Sequence, residues 1–377
     1  MKLNRKIPLT KPYITDEIKR KLLGVLDSGF LTEGKVTNEF EESVKRYTEC
    51  GHAIAVTSCT TGLEIALRAL TIGKGDEVIV PDYTYPATAD VVRIVGAKVI
   101  IVDIDRNTLN IDYAKIKKAI TTKTRAIIPV SLFGNPLNWD ELDKIRNEYG
   151  VNIIEDAACS LGSEYDGKKT GNLADISVFS FHPRKFITTG EGGMITTNDP
   201  EWADRMRSYK HFGAAVKNGK ISSLFEHIGT NYKMSDILAS LGVVYMQCID
   251  ELLIKRQEQA EYYLNLLSGK QYIGFQKMYA KAKHSWQSFC VFVDERDTVM
   301  QKMREHGVEA QIGTHSLHKC KAFAESNNCK IKGNMKNSTY AYKHCLTLPL
   351  YHEMSKEEQR LVVDILINNI CSKTGLD

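Results

Sequence analysis

The chain has 377 residues, of which 43% are hydrophobic and 25% are charged. This length predicts one large domain with a smaller one, and this composition excludes an intrinsically disordered chain. The net charge of +4 is too mild for a nucleic-acid-binding protein. No apolar stretch approaches the ~20 residues of a membrane span, and no signal-peptide run follows the N-terminus. We therefore expect a cytoplasmic protein that binds neither nucleic acid nor membranes.

The nine cysteines are scattered along the chain, without a Cys-x-x-Cys pair. Zinc sites need closely spaced ligands, and the spacing of Cys320, Cys329 and Cys345 from nearby histidines matches no such site. We expect reduced, mostly buried thiols and no bound metal.

The predicted elements begin with an extended arm over residues 7–12, which contain two prolines. Between residues 50 and 200, short apolar runs alternate with helical patterns such as 63–70 and 139–149. The second of these helices has a start signal at Asn138 and a stop signal at Gly150. Strands are predicted at 53–57, 77–80, 98–102, 126–130, 152–154, 176–181 and 193–197.

Alternating strands and helices predict an α/β fold with a mostly parallel mixed sheet and helices on both faces. The continuous apolar strands are typical of a sheet that is buried on both sides. From Ser235 a long helical stretch runs to Leu267, and the chain ends in a helix near residues 357–370. We predict a large domain over residues 1–250, including the arm, and a small C-terminal α/β domain over residues 251–377.

Ligands of such sheets bind at the carboxyl ends of the strands. The segment Ser58-Cys59-Thr60-Thr61 follows a strand and opens a helix, an arrangement that suits a phosphate but, taken alone, is more typical of a plain N-cap. Asp156 also follows an apolar run. Its carboxylate is suited to a protonated ring nitrogen, a metal or a ribose, and it is also typical of an N-cap.

Lys185 comes shortly after the predicted strand 176–181, which has Ser180 near its end, and a glycine-rich stretch at 190–193 leads into the next strand. A lysine in a cleft can lose its proton and form a Schiff base, particularly beside cationic groups such as His182 and Arg184. The alternative is a solvated surface lysine. The glycines form no dinucleotide fingerprint, because they enter a strand rather than a helix.

Four motifs occur in order along the chain. They are Thr-Tyr-Pro-Ala-Thr-Ala at 84–89, Glu-Asp-Ala-Ala at 155–158, Phe-Ser-Phe-His-Pro-Arg-Lys-x-x-Thr-Thr-Gly-Glu-Gly-Gly at 179–193 and Asn-Tyr-Lys-Met at 231–234. Together they resemble the DegT/DnrJ/StrS family of nucleotide-sugar aminotransferases, from about Ile7 to the final helix. The resemblance implies fold type I of the pyridoxal-phosphate enzymes.

The resemblance also implies a cofactor, pyridoxal 5'-phosphate, with the pyridoxamine form carrying the amine between two half-reactions. Lys185 would form the internal aldimine, and Asp156 would keep the pyridine nitrogen protonated. Tyr85 would lie against the cofactor face. Thr60 and Ser180 would hold the phosphate.

Asn231 would reach the phosphate of the neighbouring subunit, so the resemblance implies a homodimer with shared active sites. Three positions depart from the family pattern. Cys59 stands where glycine is frequent, and Cys159 stands where Gln or His often contacts the cofactor's ring oxygen. Lys233 stands where arginine is usual.

By the same resemblance, the amine would pass from L-glutamate to a keto-deoxysugar carried on a nucleoside diphosphate, at the 4-keto position in preference to the 3-keto position. This reaction would serve amino-sugar biosynthesis for a surface polysaccharide or glycoconjugate. Lys210, His211 and His315 are candidate substrate contacts, although the first two are equally typical of a solvated helix end. We expect specificity to lie in loops such as 30–35 and 311–319.

Two alternatives stay open from the sequence. Related dehydratases use the same cofactor but carry His in place of the lysine, so Lys185 argues against that chemistry. A non-catalytic regulatory dimer on the same fold would not need Lys185, Asp156 and Tyr85 together.

Overall fold

The computed structural model describes residues 6–217 and 219–371. The α-helices are α1 Asp16–Ser28, α2 Lys35–Thr48, α3 Cys59–Ala69, α4 Ala87–Ile94, α5 Tyr113–Ala119, α6 Trp139–Tyr149, α7 Pro200–Lys210, α8 Asp236–Gln247, α9 Ile249–Leu266, α10 Arg296–Glu305, α11 Lys321–Ala324, α12 Lys336–His344 and α13 Lys356–Cys371. Short 3₁₀ turns lie at Leu132–Gly134 and Leu317–Lys319.

The strands range from two to six residues in length. They are β1 His52–Val56, β2 Glu77–Pro81, β3 Tyr83–Thr84, β4 Lys98–Val102, β5 Thr124–Ile127, β6 Asn152–Asp156, β7 Glu164–Tyr165, β8 Lys168–Lys169, β9 Ile176–Ser180, β10 Gly193–Thr197, β11 Ala214–Lys217, β12 Lys220–Phe225, β13 Gly274–Phe275, β14 Ala282–Lys283, β15 Phe289–Phe292, β16 Gln311–Ile312, β17 His315–Ser316, β18 Cys329–Lys332 and β19 Cys345–Leu348.

A sheet of eight strands, in the order β1-β10-β9-β6-β5-β2-β4-β18, forms the centre of the described structure. Its neighbours pair in parallel except at β10, which runs antiparallel to both β1 and β9. All seven predicted strands belong to this sheet. The predicted α/β class with a mostly parallel mixed sheet is therefore confirmed.

Helices cover both faces of the sheet, because successive side chains of a strand point to opposite sides. On β1, Ile54 and Val56 pack into a core with residues of α3, α4 and α7. Ala53 and Ala55, on the other face of β1, pack with residues of α2 and α8. Farther along the sheet, α5 and α6 complete this second face.

Helix α6 begins and ends where its sequence signals predict. Asn138 Oδ1 accepts a hydrogen bond from the Glu141 N–H (3.4 Å), which satisfies a donor of the first turn. Gly150 follows the last turn in the left-handed conformation, with φ of 65°.

The long helical stretch predicted from Ser235 to Leu267 is wrong in one respect. The helix breaks at Cys248, and the axes of α8 and α9 differ by 67°. Cys248 leaves helical geometry with φ of −118°, and its N–H donates to the Tyr245 carbonyl in a tighter turn. Within the described ranges, no single helix is long and apolar enough to cross a membrane, and α8 and α9 pass that test only as a bent pair.

A second sheet, in the order β13-β15-β19-β16, lies in the C-terminal part. It forms a separate core with α9, α10 and α13, and the N-terminal arm joins this core through Ile7. The Ile7 N–H donates to the Gly307 carbonyl (2.9 Å). By contrast, β18 pairs with β4 of the large sheet. The domain division at residue 250 stays a prediction.

Gly62 lies where α3 packs closely on the large sheet. A Cβ at this position would lie 2.5 Å from Val178 Cγ1 and 3.2 Å from Ile195 Cγ1. We expect Gly62→Ala to lower the free energy of unfolding by about 1–3 kcal/mol, because neither strand can yield without moving the sheet. Urea denaturation followed by circular dichroism measures this change.

Gly24 provides the matched control, because it lies inside α1 and no atom comes within 4 Å of the position that a Cβ would take there. Gly24→Ala should stabilise the protein by about 0.5–1 kcal/mol through helix propensity. A Gly62→Ala protein as stable as the native one would contradict the close packing of α3.

Candidate active site

Three strands bring the predicted phosphate contacts together. The register places Val56, Gly193 and Ser180 in one row across β1, β10 and β9. A Cβ on Gly193 would lie 2.5 Å from the Ser58 carbonyl carbon and 2.7 Å from the Cys59 nitrogen. Only glycine lets the first turn of α3 approach the sheet this closely, and Ser180 is thereby held beside that turn.

At the N-terminus of α3, side chains satisfy some of the backbone N–H groups and leave others without an acceptor. Ser58 Oγ accepts from the Thr61 N–H, and Thr61 Oγ1 accepts from the Ser58 N–H, each at 3.1 Å. Among the described residues, the N–H groups of Cys59 and Thr60 have no acceptor. Together with the hydroxyls of Thr60 and Ser180, they form a site that suits a phosphate group.

Asp156 ends β6 and is 5% exposed. Its Oδ2 accepts from Thr88 Oγ1 (2.8 Å), and its Oδ1 accepts from the Ala158 N–H (3.2 Å). Burial raises the pKa of Asp156, although these donors and the nearby Lys185 oppose that shift. A carboxylate held this way in a low-dielectric site gains strongly from a cationic partner.

Glu155, the preceding residue, points to the opposite face of β6 and is fully buried. It accepts hydrogen bonds from Ser131 Oγ and from Ser177 Oγ, the latter at 3.0 Å. Burial raises the pKa of Glu155 to about 7. Strand alternation thus places the two adjacent acids on opposite faces of the sheet, and of the two only Asp156 contacts Thr88 and Cys59.

Lys185 is half-buried, and its Nζ lies 3.1 Å from Cys159 Sγ. Burial lowers the pKa of Lys185, but the contact with Cys159 and the charge of Asp156 outweigh that effect and leave this pKa above its usual value. Of the two predicted cationic neighbours, Arg184 is exposed and its guanidinium contacts Gln311 Oε1 at 3.4 Å. Burial lowers the pKa of His182, and the charge of Lys185 lowers it further. The partner of Lys185 is therefore a thiol and not a cation.

Cys59 occupies the position where the family resemblance led us to expect glycine. Its Sγ lies 3.5 Å from the Val178 carbonyl oxygen and 3.9 Å from Asp156 Oδ1. Burial raises the pKa of the Cys59 thiol well above its usual value, and the charge of Asp156 adds to the shift. Cys59 therefore stays a neutral donor and puts no second charge beside Asp156.

The Tyr85 side chain lies beside these groups and is exposed to solvent, with 67% of the residue accessible. His315 lies close to it, with the ring centroids 6.2 Å apart, because β17 pairs with β3. Asp82 holds this pairing in place: its Oδ2 is 2.6 Å from His318 Nδ1, and its Oδ1 accepts from the His318 N–H at 2.7 Å. The C-terminal part thus contributes His315 to the candidate site.

A cleft of about 600 Å³ extends from this edge of the sheet along α4. It shares Thr60 and Tyr85 with the candidate cofactor site. Its lining residues are Thr60, Tyr85, Pro86, Ala87, Asp90, Arg93, Ile94 and Asn328.

Asn231 is exposed, and its Oδ1 accepts only a weak hydrogen bond, from the Lys233 N–H at 3.4 Å. It sits next to α7 through a bridge with His211. The structure of one chain does not test its predicted contact with a neighbouring subunit.

Lys210 and His211 have partners within the chain. Lys210 is 1% exposed, and its Nζ contacts Glu33 Oε2 (3.0 Å), Glu41 Oε1 (3.3 Å) and the Ala55 carbonyl (2.9 Å). His211 Nε2 lies 2.8 Å from Glu33 Oε1. The predicted diphosphate contact stays untested, and the geometry instead has both residues anchoring the loop that carries Glu33.

Thr88 is the residue of this site that sequence reasoning missed. It links Asp156 to Thr84, whose Oγ1 lies 2.9 Å from Thr88 Oγ1. The signals were the motif at 84–89, which contains Thr88, and the spacing of two threonines one helical turn apart, directly after a strand. That spacing is too common to identify a carboxylate partner.

These groups fit the expected cofactor, pyridoxal phosphate. Lys185 offers an amine for its aldehyde, and Asp156 offers a buried carboxylate that gains from a cationic ring nitrogen. The free N–H groups of Cys59 and Thr60 offer donors for its phosphate. Tyr85 offers an exposed ring at the same edge of the sheet.

Known proteins resemble this chain over nearly its whole length. The family model of the DegT/DnrJ/EryC1/StrS aminotransferase family matches residues 12–367. The uncharacterized protein MJ1066 of Methanocaldococcus jannaschii is 33% identical over 373 residues, which are 96% of either chain.

Solved structures agree in fold and in cofactor. Spr1654 of Streptococcus pneumoniae is a sugar aminotransferase solved in its PMP form and its PLP form. It superposes on this chain with a TM-score of 0.91 at 28% identity. The match covers 97% of this chain and 99% of that one. DesV of S. venezuelae, solved with a ketimine intermediate, gives a TM-score of 0.90 at 29% identity, over 96% and 98% of the two chains. Fold type I, the pyridoxal-phosphate cofactor and an enzymatic role are thus confirmed. The chain belongs to the DegT/DnrJ/EryC1/StrS aminotransferase family.

Proposed function

We propose that the protein transfers an amino group from L-glutamate to the 4-keto group of a deoxysugar linked to a nucleoside diphosphate, and that it acts in the cytoplasm. One observation carries the proposal: a lysine amine, a buried carboxylate and an open helix N-terminus converge at one edge of the sheet. This reaction would serve amino-sugar biosynthesis for a surface polysaccharide or glycoconjugate.

Pyridoxal phosphate, when bound, supplies an electron sink for the charge left after a proton leaves the carbon beside an amine. In the proposed reaction, Lys185 Nζ holds the cofactor and then carries a proton to and from that carbon. Asp156 holds a proton at the ring nitrogen, and Thr88 and the Ala158 N–H keep its carboxylate oriented. Tyr85 shields one face of the ring from water.

Cys159 takes the place of the Gln or His that often meets the cofactor's ring oxygen in this family. Its Sγ already contacts Lys185 Nζ at 3.1 Å. A thiol can occupy this position because it is a weak donor to either neighbour and carries no obligatory charge. We propose that Cys159 orients the Lys185 amine toward the cofactor.

The keto-sugar would enter beside Tyr85 and His315. The cleft of about 600 Å³ is within the range of small-molecule sites and leaves room for a nucleotide sugar. We propose that the loop 30–35 and the segment 311–319, which contains β16, β17 and a 3₁₀ turn rather than the predicted loop, select the sugar. The first is anchored through Glu33 by Lys210, so Lys210 shapes this loop without touching the substrate.

We further propose a homodimer with shared sites. The hairpin of β11 and β12 and the segment after it expose apolar side chains that a monomer would leave in water. They include Leu224 (66% exposed), Phe225 (69%) and Ile228 (94%). Asn231 follows directly, so a partner that covers this surface would meet Asn231 as well.

Two alternatives are disfavoured by particular residues. A dehydratase of this family would carry His where this chain has Lys185. A non-catalytic regulatory dimer would not need Lys185 and Asp156 to converge on one cleft.

The amine acceptor is tested by product analysis. We expect the purified enzyme, with L-glutamate and a panel of nucleotide-linked keto-sugars, to release 2-oxoglutarate and an amino sugar with a 4-keto substrate. Mass spectrometry separates this product from a deoxysugar. Release of a deoxysugar without 2-oxoglutarate would establish the dehydratase alternative.

Removal of Lys185 should abolish covalent capture of the cofactor. We expect native protein to absorb in the visible range and to retain the cofactor on Lys185 after borohydride treatment, as shown by peptide mapping. Lys185→Ala should lose both signals and reduce turnover by at least about 10³-fold. Lys281→Ala, at an exposed ion pair, controls for the loss of a lysine. An unchanged spectrum of Lys185→Ala would refute the assignment.

Subunit mixing tests the shared site. Lys185→Ala and Asn231→Asp should each be inactive, since the new carboxylate repels the phosphate of the neighbouring subunit. Random exchange makes about half of the dimers mixed, each with one intact site, so activity should recover to about a quarter of the native value.

Lys185→Ala mixed with Asp156→Ala is the matched control, because these two residues belong to the same chain's site. That mixture should recover no activity. Failure of the Asn231→Asp mixture to recover, after exchange is proven with tagged subunits, would place Asn231 outside its partner's site.

A further inference from the structure

A segment from the C-terminal part, residues 284–288, runs beneath the loop that carries Lys185. It is tied to the turn after β5: the Ser285 N–H donates to the Gly134 carbonyl and the Ser288 N–H donates to the Phe133 carbonyl, each at 3.2 Å. The packing is tight, because a Cβ on Gly134 would lie 2.6 Å from Ser285 Oγ and 3.0 Å from the Gln287 nitrogen. These contacts fix the position of the segment relative to the large sheet.

Gln287 reaches from this segment to the backbone on both sides of Lys185. Its Nε2 donates to the Arg184 carbonyl (2.9 Å), and its Oε1 accepts from the Phe186 N–H (3.1 Å). Gln287 is 5% exposed, so these bonds are shielded from water. Because one amide group holds the peptide units before and after Lys185, it sets the position and the direction of the lysine side chain.

Ser285, two residues earlier, holds the partner of Lys185. Its Oγ donates to the Cys159 carbonyl (3.3 Å). Since Cys159 Sγ lies 3.1 Å from Lys185 Nζ, the same short segment supports both members of that contact.

Arg256, on α9, holds the segment from the other side. Its guanidinium donates to the Trp286 carbonyl (2.8 Å) and the Gln287 carbonyl (3.2 Å), and it lies 5.4 Å from the centre of the Phe186 ring. Burial lowers the pKa of Arg256 to about 9. A buried cation that contacts neutral carbonyls costs free energy. This cost indicates that Arg256 has a specific role beyond packing.

We infer that Gln287 is a positioning residue for Lys185, and that Arg256 acts through it. The inference rests on the proposed role of Lys185 as the amine that takes the cofactor. Gln287 does not touch the reacting atoms. It holds the Lys185 backbone so that Nζ meets the cofactor's aldehyde without a search through other loop conformations.

Gln287→Met tests this inference, because methionine keeps the volume of the side chain and removes both hydrogen bonds. Gln259→Met is the matched control. Gln259 is also buried, at 3% exposed, and its Nε2 donates to the carbonyls of Tyr351, His352 and Met354. Both variants lose the hydrogen bonds of a buried amide, but only Gln287 contacts the Lys185 loop.

Two measurements separate positioning from stability. The first is the rate at which cofactor-free enzyme captures added pyridoxal phosphate, followed by absorbance and by borohydride fixation on Lys185. The second is hydrogen exchange of the 184–186 peptide in the purified enzyme. We expect Gln287→Met to capture the cofactor about tenfold more slowly and to exchange faster at the Phe186 N–H. Gln259→Met should stay within about twofold of native for both, with a similar fall in melting temperature.

Capture by Gln287→Met at the native rate would overturn the inference. Failure of native enzyme to fix the cofactor on Lys185 would instead overturn the proposed function, so the two failures are distinguishable. Should Gln287→Met not fold, Gln287→Glu decides: it keeps the acceptor for the Phe186 N–H and loses the donor to the Arg184 carbonyl. Slower capture by this variant supports the inference, and native capture refutes it.

Discussion

The close approach of β10 to the first turn of α3 is the constraint on which the site depends. Gly193 leaves room for the backbone of Ser58 and Cys59, and the register of β10 with β1 and β9 aligns this contact with Ser180. The helix terminus is thereby held one strand away from the loop that leads to Lys185. Any side chain at Gly193 would push the free N–H groups at the start of α3 away from Lys185, and these are the groups that suit a phosphate.

The electrostatics of the cleft follow from burial and from two thiols. Asp156 is buried, so its carboxylate gains from a cationic partner such as a protonated ring nitrogen. Lys185 supplies a positive charge nearby while the chain is without its cofactor. Cys59 and Cys159 stand where a glycine and a polar residue were expected, and each contacts one of these two residues without bringing a fixed charge. The departures from the family pattern thus preserve the charge balance of the site.

The C-terminal part completes the site by contacts far apart in sequence. The Asp82–His318 pair places His315 beside Tyr85, and the segment around Gln287 supports the loop of Lys185. Lys210 acts in a similar supporting way, because it anchors the loop of Glu33 from a buried position. The proposed catalytic groups come from the large sheet, whereas the residues that orient them come from both parts.

The sequence by itself determined seven of the eight strands of the large sheet and the position of α6, because apolar periodicity is a local property. Its short motifs, by resemblance, indicated the family and the cofactor. It also singled out Lys185 and Asp156 at strand ends. It missed the break at Cys248. It also missed the roles of Thr88 and Gln287, because those depend on partners that lie far along the chain. Only the tertiary structure decided that Lys210 is buried between two carboxylates, since its sequence position is equally typical of a solvated helix end.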